Sequence, residues 1–517
     1  MDQSEDMNPR TQAIHLDGRT LEGGGQLVRI AVSLSALTGR PVIIDHIRGN
    51  RSGKQGLKGS HLAAITYLAR VSGSSVVGAE LGSTSLSFYP RAVQMPRDRD
   101  HERGGAIESH INIALRTAGS VFLVFQALYP YMLHAGANSP IPERQITLSI
   151  VGGTNVSFSP SYDYVAQVLV PNFARVGLPH LSVQLIKRGW GSGPFSLGKV
   201  TLIADPLTLC EDGNKAGSSP QFPPIDVAQY QRGTISQIEI TILAPDDPFP
   251  RSTERGVHGK GRNRRPGGTQ SRKHMSRAGG NRDGLPNATL TIRQFVEDEI
   301  FRSLCKGLGK LPSSVFTSGL SSSSAAVQHP HTESDDNDIP INIHTTEATH
   351  HYSHVYILIV AHTSTGFRVG HDALFGVNGD PGARQARHKS RNGPEEAAMV
   401  VKNLVEQCVD GFLEELYDPR LQQGSTPVDR EEYPPCVDKY SRDQLAVFEA
   451  LGRSASQPSD DGGGGKEDER YWSLHMQTAR WVCEEMLSNQ AHDMKQLHQA
   501  PRSSTLEGND NAKHPVI

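Results

Sequence analysis

Residues 16–39, LDGRTLEGGGQLVRIAVSLSALTG, join a glycine-rich turn to an amphipathic helix. Apolar side chains recur at positions i, i+3, i+4 and i+7 between Leu27 and Leu37, and Gly39 ends this helical pattern. The β-branched run Val42–Ile47 follows and predicts a strand. This order of turn, helix and strand predicts a fold of the α/β class.

Helical and strand patterns continue to alternate up to about residue 204. They predict helices at 61–71, 118–133 and 164–174, and strands at 146–151 and 181–186. The stretch ALTGRPVIIDHIRGN at 36–50 resembles FARVGLPHLSVQLIKRGW at 173–190, because each contains a helix end, a glycine, a proline and an apolar strand. This echo favours repeated α/β units. The alternative is that any α/β chain shows this order twice.

The middle of the chain has a different composition. Residues 251–282 contain ten Lys or Arg, one Glu and almost no aliphatic side chains, which is typical of a disordered segment. A nuclear-import patch, an RNA-contacting arm and a solvated linker are all open interpretations of it. Around it we expect a strand at 235–242, a helix at 289–306, a strand at 355–362 and a helix at 395–416 that returns to the main body.

These patterns predict a discontinuous main domain with an insertion. The predicted parts are a disordered tail at 1–12, a main domain at 13–205 and 392–487, an inserted α/β domain at 206–391 with disordered loops at about 251–285 and 318–338, and a disordered tail at 488–517. No apolar run approaches the ~20 residues of a membrane helix, so we expect no membrane association. The net charge of −3 excludes a uniformly basic nucleic-acid-binding surface but not a basic cleft.

The glycine turn is the densest chemical signal. Three glycines after Glu22 leave backbone N–H groups free at a helix start, which suits a phosphate group. Gln26 and Arg29 share one face of that helix, and Glu22 would hold a divalent metal. Arg48 and Arg51 follow the next strand and suit a second anion contact. The alternatives are an ordinary turn and an exposed basic loop.

Seven motifs resemble the RNA 3'-terminal phosphate cyclase family. They cover much of 14–200 and 395–487 and are the 16–39 stretch, IRGNR (47–51), GLKGSHL (56–62), AGSVFLVFQALYP (118–130), GGTNVSFSPSYDY (152–164), YSRDQLAVFEALG (440–452) and LHMQTA (474–479). The resemblance implies a large domain of three repeated α/β units, each a sheet with two helices, plus a small inserted α/β domain. It also implies ATP-dependent conversion of an RNA 3'-phosphate end to a 2',3'-cyclic phosphodiester.

The resemblance assigns roles to individual positions. His475, which by pattern alone would be a structural histidine, matches the nucleophile that becomes linked to AMP. Pro160 and Tyr440 match residues that sandwich adenine, and Asp443 and Gln444 match contacts near the ribose. Gln126 matches a glutamine of the ATP pocket, and Glu22 matches a ligand of Mg²⁺ or Mn²⁺. The positions that match the phosphate and RNA site are Gln26, Arg29, Arg48 and Arg51.

Some features depart from the family pattern or leave alternatives open. Ser60 stands where a glutamine is usual, Glu449 replaces an apolar residue, and the glycine-rich stretch at 193–198 is degraded. The competing interpretations are an inactive cyclase-like factor in ribosomal RNA processing and a relative of the enolpyruvyl transferases. From the family we expect a nuclear location, in the nucleoplasm, with the cytoplasm as the alternative. The oligomeric state is left open.

Overall fold

The computed structural model describes residues 13–51, 53–91, 107–138, 145–194, 196–210, 219–248, 290–317, 339–375, 394–419, 434–455 and 471–488. The loops predicted at 251–285 and 318–338, and both predicted tails apart from Ser488, lie outside these residues. Within the described part, no helix is long and apolar enough to cross a membrane.

The first α/β unit is a four-stranded sheet with two helices. Its elements are β1 (Ile14–Asp17), α1 (Gln26–Thr38), β2 (Val42–Asp45), α2 (Gly59–Ser72), β3 (Ser75–Val77) and β4 (Leu86–Tyr89). The strand order is β1-β2-β4-β3, with β1 and β2 parallel and the other pairs antiparallel. Gly39 and Gly73 end the two helices in the left-handed conformation that favours glycine.

The second unit repeats this topology. Its elements are β5 (His110–Ala114), α3 (Val121–Ala137), β6 (Ile146–Gly152), α4 (Tyr162–Tyr164), a π-helical segment (Val165–Leu169), α5 (Val170–Arg175), β7 (Leu181–Lys187) and β8 (Gly198–Ala204). The order β5-β6-β8-β7 matches the first sheet strand for strand, and β5 and β6 are again parallel. Repeated α/β units are therefore confirmed.

The sequence echo that suggested the repeat pairs elements that are not equivalent. It matches β2 with β7, but β2 lies inside its sheet between β1 and β4, whereas β7 is an edge strand. The topological equivalent of β2 is β6. Both matched segments follow a helix and a glycine, and that local pattern cannot distinguish an inner strand from an edge strand.

The third four-stranded sheet follows a short hairpin of β9 (Leu209–Cys210) and β10 (Ser219–Pro220). Its elements are β11 (Ile235–Pro245), α6 (Ile292–Leu308), β12 (Ile341–Thr349), β13 (Tyr356–Thr363) and β14 (Arg368–Leu374). The order is β12-β11-β13-β14, with only β11 and β12 parallel. With this sheet the predicted mixed α/β class is confirmed.

Strand β13 separates two hydrophobic cores. Tyr356, Leu358 and Val360 point into the first core, which contains both earlier sheets and the helices packed on them. Ile357 and Ile359 point into the second core. A strand that is buried on both faces needs apolar side chains at every position, which explains the uninterrupted apolar run in this part of the sequence.

The remaining helices divide between the two cores. Helix α7 (Pro394–Leu416) packs in the second core against α6, β13 and β14. We expected it to return the chain to the main body, but its apolar stripe faces the third sheet instead. Helices α8 (Lys439–Ala455) and α9 (Leu474–Leu487) pack in the first core, and α9 lies against α1. The predicted domain boundaries stay a prediction.

Candidate active site

The glycine turn brings three chain segments into close contact. A side chain at Gly25 would collide with Nε2 of His61, and a Cβ at Gly24 would lie 2.7 Å from Oε1 of Glu22. Gly23 has a φ of +61° and lies against Asn50. Only glycine allows α1, α2 and the loop after β2 to meet this closely.

Basic groups converge on this turn. Burial and, to a smaller extent, the neighbouring Arg48 together lower the pKa of Arg29 to about 10. The Nε atoms of Arg48 and Arg51 are buried, and neither has a hydrogen-bond partner among the described residues. Arg48 also has a φ of +62°, a conformation that is strained for this residue type. An anion bound at the turn would relieve the repulsion between these cations and accept hydrogen bonds from them.

His61 is a neutral hydrogen-bond donor in the same place. Burial, with smaller contributions from the basic neighbours Arg29, Arg48 and Lys58, lowers its pKa to about 3. Its Nδ1 accepts a hydrogen bond of 3.1 Å from the backbone N–H of Lys58. The proton of the neutral ring is therefore on Nε2, which faces Gly25.

His475 reaches this site from the start of α9. Its Nδ1 lies 2.6 Å from Oε2 of Glu22, in a close contact that lacks the alignment of an ideal hydrogen bond. The backbone N–H of Glu22 donates to Oγ1 of Thr478, one turn further along α9, at 3.3 Å. Arg51 pairs with the other carboxylate oxygen of Glu22. The glycine turn and the LHMQTA motif (474–479) therefore form one site, although they are far apart in sequence.

Ser473 ties Asp443 to the start of α9, the helix that carries His475. The Ser473 hydroxyl donates to Oδ1 of Asp443 at 2.7 Å and accepts from the N–H of Met476 at 2.9 Å, so it also caps α9. Burial raises the pKa of Asp443 to about 6, although Ser473 and His475 oppose the shift. Burial lowers the pKa of His475; Arg29 and Arg51 add to this shift, and Asp443 opposes it.

A cavity extends from the site between α1, α3, α8 and the loop before α4. Its lining includes six residues that the resemblance selected, namely Gln26, Arg29, Gln126, Pro160, Asp443 and Gln444. The rest of the lining is mainly aromatic and aliphatic, and this part was not predicted from the sequence. The lining combines apolar side chains with a few polar ones, as nucleobase sites do, but the enclosed volume of about 40 Å³ is smaller than a base, so lining side chains would have to move to admit one.

The other selected residues lie outside this lining. Four of them lie around the glycine turn, next to Gln26 and Arg29 of the cavity lining: Glu22, Arg48, Arg51 and His475. Tyr440 lies on α8 one turn before Gln444, and its ring contacts Tyr164 edge to face, with 6.0 Å between ring centroids.

Three further residues complete the site. Thr478 holds α9 against the turn, Ser473 joins α9 to Asp443 on α8, and Lys58 fixes the tautomer of His61. A serine just before a helical pattern is a recognisable capping signal, so Ser473 was accessible to sequence analysis. Its bond to Asp443 was not, because it depends on how α8 and α9 pack.

Two departures from the family pattern are explained by their surroundings. Buried Glu449 pairs with Arg442 at 2.9 Å and accepts a hydrogen bond of 2.9 Å from the N–H of Val227. Ser60 is buried in the first turn of α2, next to His61. An ion pair and a hydrogen bond satisfy the buried carboxylate, so the apolar position tolerates it.

The residues around Glu22 do not form a ready metal site. Within the described residues, no group of three or more His, Cys, Asp and Glu side chains is arranged to hold a metal ion. The two carboxylate oxygens of Glu22 already contact Arg51 and His475. Because Glu22 is a single carboxylate without further acidic or histidine ligands grouped around it among the described residues, we derive no chemical step through a metal, and its metal-ligand role stays a prediction.

The fold and site together define a protein of repeated α/β units in which a glycine turn surrounded by arginines lies beside a largely apolar cavity. A family model described as RNA 3'-terminal phosphate cyclase matches residues 20–492, and the chain belongs to that family.

Curated relatives with this name support the assignment. The protein of Thermococcus sibiricus is 37% identical over 187 residues, which cover 36% of this chain and 47% of the relative. That of Korarchaeum cryptofilum is 38% identical over 196 residues, covering 38% and 49%. That of Sulfolobus acidocaldarius is 33% identical over 232 residues, covering 44% and 62%. The chain thus spans about half the length of the curated relatives it matches.

Proposed function

We propose that this protein converts an RNA 3'-terminal phosphate to a 2',3'-cyclic phosphodiester at the expense of ATP, through a covalent His475–AMP adduct. The observation that carries the proposal is the 2.6 Å contact between Nδ1 of His475 and Glu22, at a turn crowded with arginines. It orients one imidazole nitrogen toward a carboxylate and leaves the other free for a nucleotide.

In the first step His475 attacks ATP. The carboxylate of Glu22 favours the tautomer with the proton on Nδ1, so the lone pair is on Nε2. The lowered pKa of His475 keeps the ring neutral at neutral pH. Nε2 forms a bond to the α-phosphorus, and the bond from that phosphorus to the bridging oxygen of pyrophosphate breaks.

The arginines at the turn stabilise the leaving group. Pyrophosphate departs with concentrated negative charge, and Arg29, Arg48 and Arg51 provide guanidinium groups where that charge develops. The N–H of His61 Nε2 supplies a neutral donor beside them. We assign the adenosine to the cavity, where Gln126, Pro160, Asp443 and Gln444 line the walls and Tyr440 lies one turn away.

Two further steps close the ring. An oxygen of the RNA 3'-phosphate attacks the phosphorus of the adduct, the nitrogen–phosphorus bond breaks, and AMP is transferred to the RNA end. The vicinal 2'-hydroxyl then attacks the RNA phosphorus, loses its proton and expels AMP. Intramolecular attack of this kind reaches effective molarities of about 10⁵ M or more. Because the reaction needs a 2'-hydroxyl, it is restricted to RNA ends.

The test is covalent labelling. The protein is incubated with ATP labelled at the α-phosphate, with Mg²⁺ or Mn²⁺ or without metal, and the denatured protein is examined for label. We expect an acid-labile, alkali-stable adduct that is lost in His475→Ala. His110→Ala removes an exposed histidine on β5 and is the matched control. A folded protein that takes up no label under any metal condition would instead support the inactive rRNA-processing factor.

We also propose a nuclear location, which rests on the family resemblance and on the basic segment 251–282. Fluorescence imaging of the full chain, compared with a variant in which the ten basic residues of that segment are replaced by glutamine, tests it. An unchanged distribution would remove the segment from the argument.

A further inference from the structure

Phe158 is an exposed aromatic residue held in an unfavourable backbone conformation. Its side chain is 77% exposed, and its φ of +58° lies in the left-handed region that bulky residues avoid. It belongs to the loop between β6 and α4, two residues before Pro160, which lines the cavity. An aromatic ring that contributes so little to packing has no evident structural reason to be there.

Hydrogen bonds on the carboxyl-terminal side of Phe158 fix this loop. The hydroxyl of Ser159 pairs with that of Ser120, the residue that caps α3. The hydroxyl of Ser161 contacts the hydroxyl of Tyr356 at 2.6 Å and caps α4. The surroundings therefore hold Phe158 in a strained conformation, which is the situation often found at ligand-binding positions.

The position of the loop places the ring close to the proposed reaction. Consecutive Cα atoms are about 3.8 Å apart, so the Cα of Phe158 is within about 7.6 Å of that of Pro160. Ser120 starts the helix that carries Gln126, another residue of the cavity lining. Pro160 lines the same cavity as Gln26 and Arg29, which follow the glycine turn, so the loop and the turn border one site.

We propose that Phe158 is the stacking platform for the base of the 3'-terminal nucleotide of the RNA. This inference rests on the proposed function, because it takes the RNA end to be the ligand. Unstacked bases at RNA ends bind to aromatic faces, and such contacts tolerate any base. A single ring is too small for a protein docking surface, whereas it matches one base in size. The arginines at the turn provide the complementary charge for the adjoining phosphates.

The test uses a short single-stranded RNA with a 3'-phosphate and 2-aminopurine as its last base, whose fluorescence is quenched by stacking. We expect Phe158→Ala and Phe158→Gly to lose the quenching and to bind the RNA about 10- to 100-fold more weakly. Phe158→Trp should keep both the fluorescence quenching and the wild-type RNA affinity. The control is Leu81→Ala, which removes an apolar side chain that is 74% exposed in the first unit and should change neither the quenching nor the RNA affinity.

Phe158→Gly separates binding from folding. Glycine suits a φ of +58°, so this variant should be at least as thermally stable as the wild type while its RNA affinity falls. A second RNA that lacks the terminal base should bind wild type and Phe158→Gly equally. The proposal that Phe158 stacks on the terminal base is wrong if the two proteins bind the aminopurine RNA within twofold of each other. It is also wrong if removing the base lowers the RNA affinity of both proteins equally.

Labelling by ATP alone distinguishes this proposal from the function on which it rests. Formation of the His475 adduct needs no RNA, so Phe158→Gly should form it at the wild-type rate. Absence of the adduct in the wild type would reject the proposed function, whereas a normal adduct with unchanged RNA binding in Phe158→Gly would reject only the platform.

Discussion

Nδ1 of His475 and Oε2 of Glu22 lie 2.6 Å apart, although the two residues come from opposite ends of the chain. The contact is held in place from both sides, because Arg51 engages the other Glu22 oxygen and Thr478 accepts the Glu22 backbone N–H. We therefore propose that Glu22 orients the imidazole; the metal-ligand role that the sequence resemblance implied stays a prediction.

Glu22→Gln tests the orienting role. The amide has no negative charge to favour the proton on Nδ1, so we expect adduct formation to slow by about tenfold to a hundredfold or more. Excess Mg²⁺ or Mn²⁺ should not restore the rate if Glu22 orients His475. Rescue by raised metal concentration would show that Glu22 is a metal ligand instead. Adduct rates over a metal titration provide the measurement.

The charges around His475 predict opposite pKa shifts in two variants. Arg29 lowers the pKa of His475 and Asp443 raises it. Arg29→Gln should therefore raise this pKa, so that the acidic limb of the adduct-rate profile moves to higher pH. Asp443→Asn should lower it and move the limb to lower pH. Titration of the His475 ring proton by NMR measures both shifts independently of activity, and shifts of the same sign would contradict the arrangement.

Ser473→Ala should affect both stability and chemistry. Loss of the helix cap destabilises a protein by about 1 kcal/mol, and Asp443 also loses its donor. We expect a lower melting temperature and slower adduct formation, with Ser473→Thr close to wild type in both. Thr291→Ala removes the cap of α6 in the second core and is the matched control, with lowered stability but a normal adduct rate.

Long periodic segments could be predicted from the sequence, while short polar strands could not. Helices α1 and α2 and strand β6 agree with their patterns within a few residues. Strand β12 was missed because it is an edge strand with mostly exposed polar side chains, so it lacks an apolar alternation. Strand β3 has only three residues, too few to show a period.

The residues of the candidate site could be predicted from the sequence in part, whereas the contacts between them could not. The glycine turn and the arginines after β2 are local features with a direct chemical meaning, so residue types and spacing could select them. Contacts between distant segments, such as Ser473 with Asp443, have no local signature. The contact between Glu22 and His475 was also inaccessible, because it depends on α9 packing against α1.

The raised pKa of Asp372 makes the stability of the protein depend on pH. Burial, with smaller contributions from Asp438 and Asp163, raises its pKa to about 7. The hydroxyl of Tyr356 opposes the shift by donating to Oδ2 at 3.0 Å. The folded state therefore binds this proton more tightly than the unfolded chain, whose Asp titrates near pH 3.9. Stability is lost as the pH rises from about 4 to 7.

Asp372→Asn removes that proton and should flatten the pH dependence. Urea unfolding at pH 4, 5.5 and 7 should give a smaller loss of free energy of unfolding than in the wild type, by up to a few kcal/mol. Asp298→Asn, at an exposed position on α6, should leave the wild-type slope unchanged. Equal slopes for Asp372→Asn and the wild type would show that Asp372 is not the group responsible.

Gly25→Ala tests whether the close approach at the turn is required for nucleotide chemistry. The added methyl group would collide with Nε2 of His61 and lie 3.2 Å from Nη1 of Arg29, so both donors must move. We expect adduct formation to fall by about tenfold or more, since displacing a positioned donor removes stabilisation of the developing charge. Gly59→Ala, where a methyl group meets no atom within 4 Å, should retain the wild-type rate. A normal rate in Gly25→Ala would mean that the phosphates do not depend on this turn.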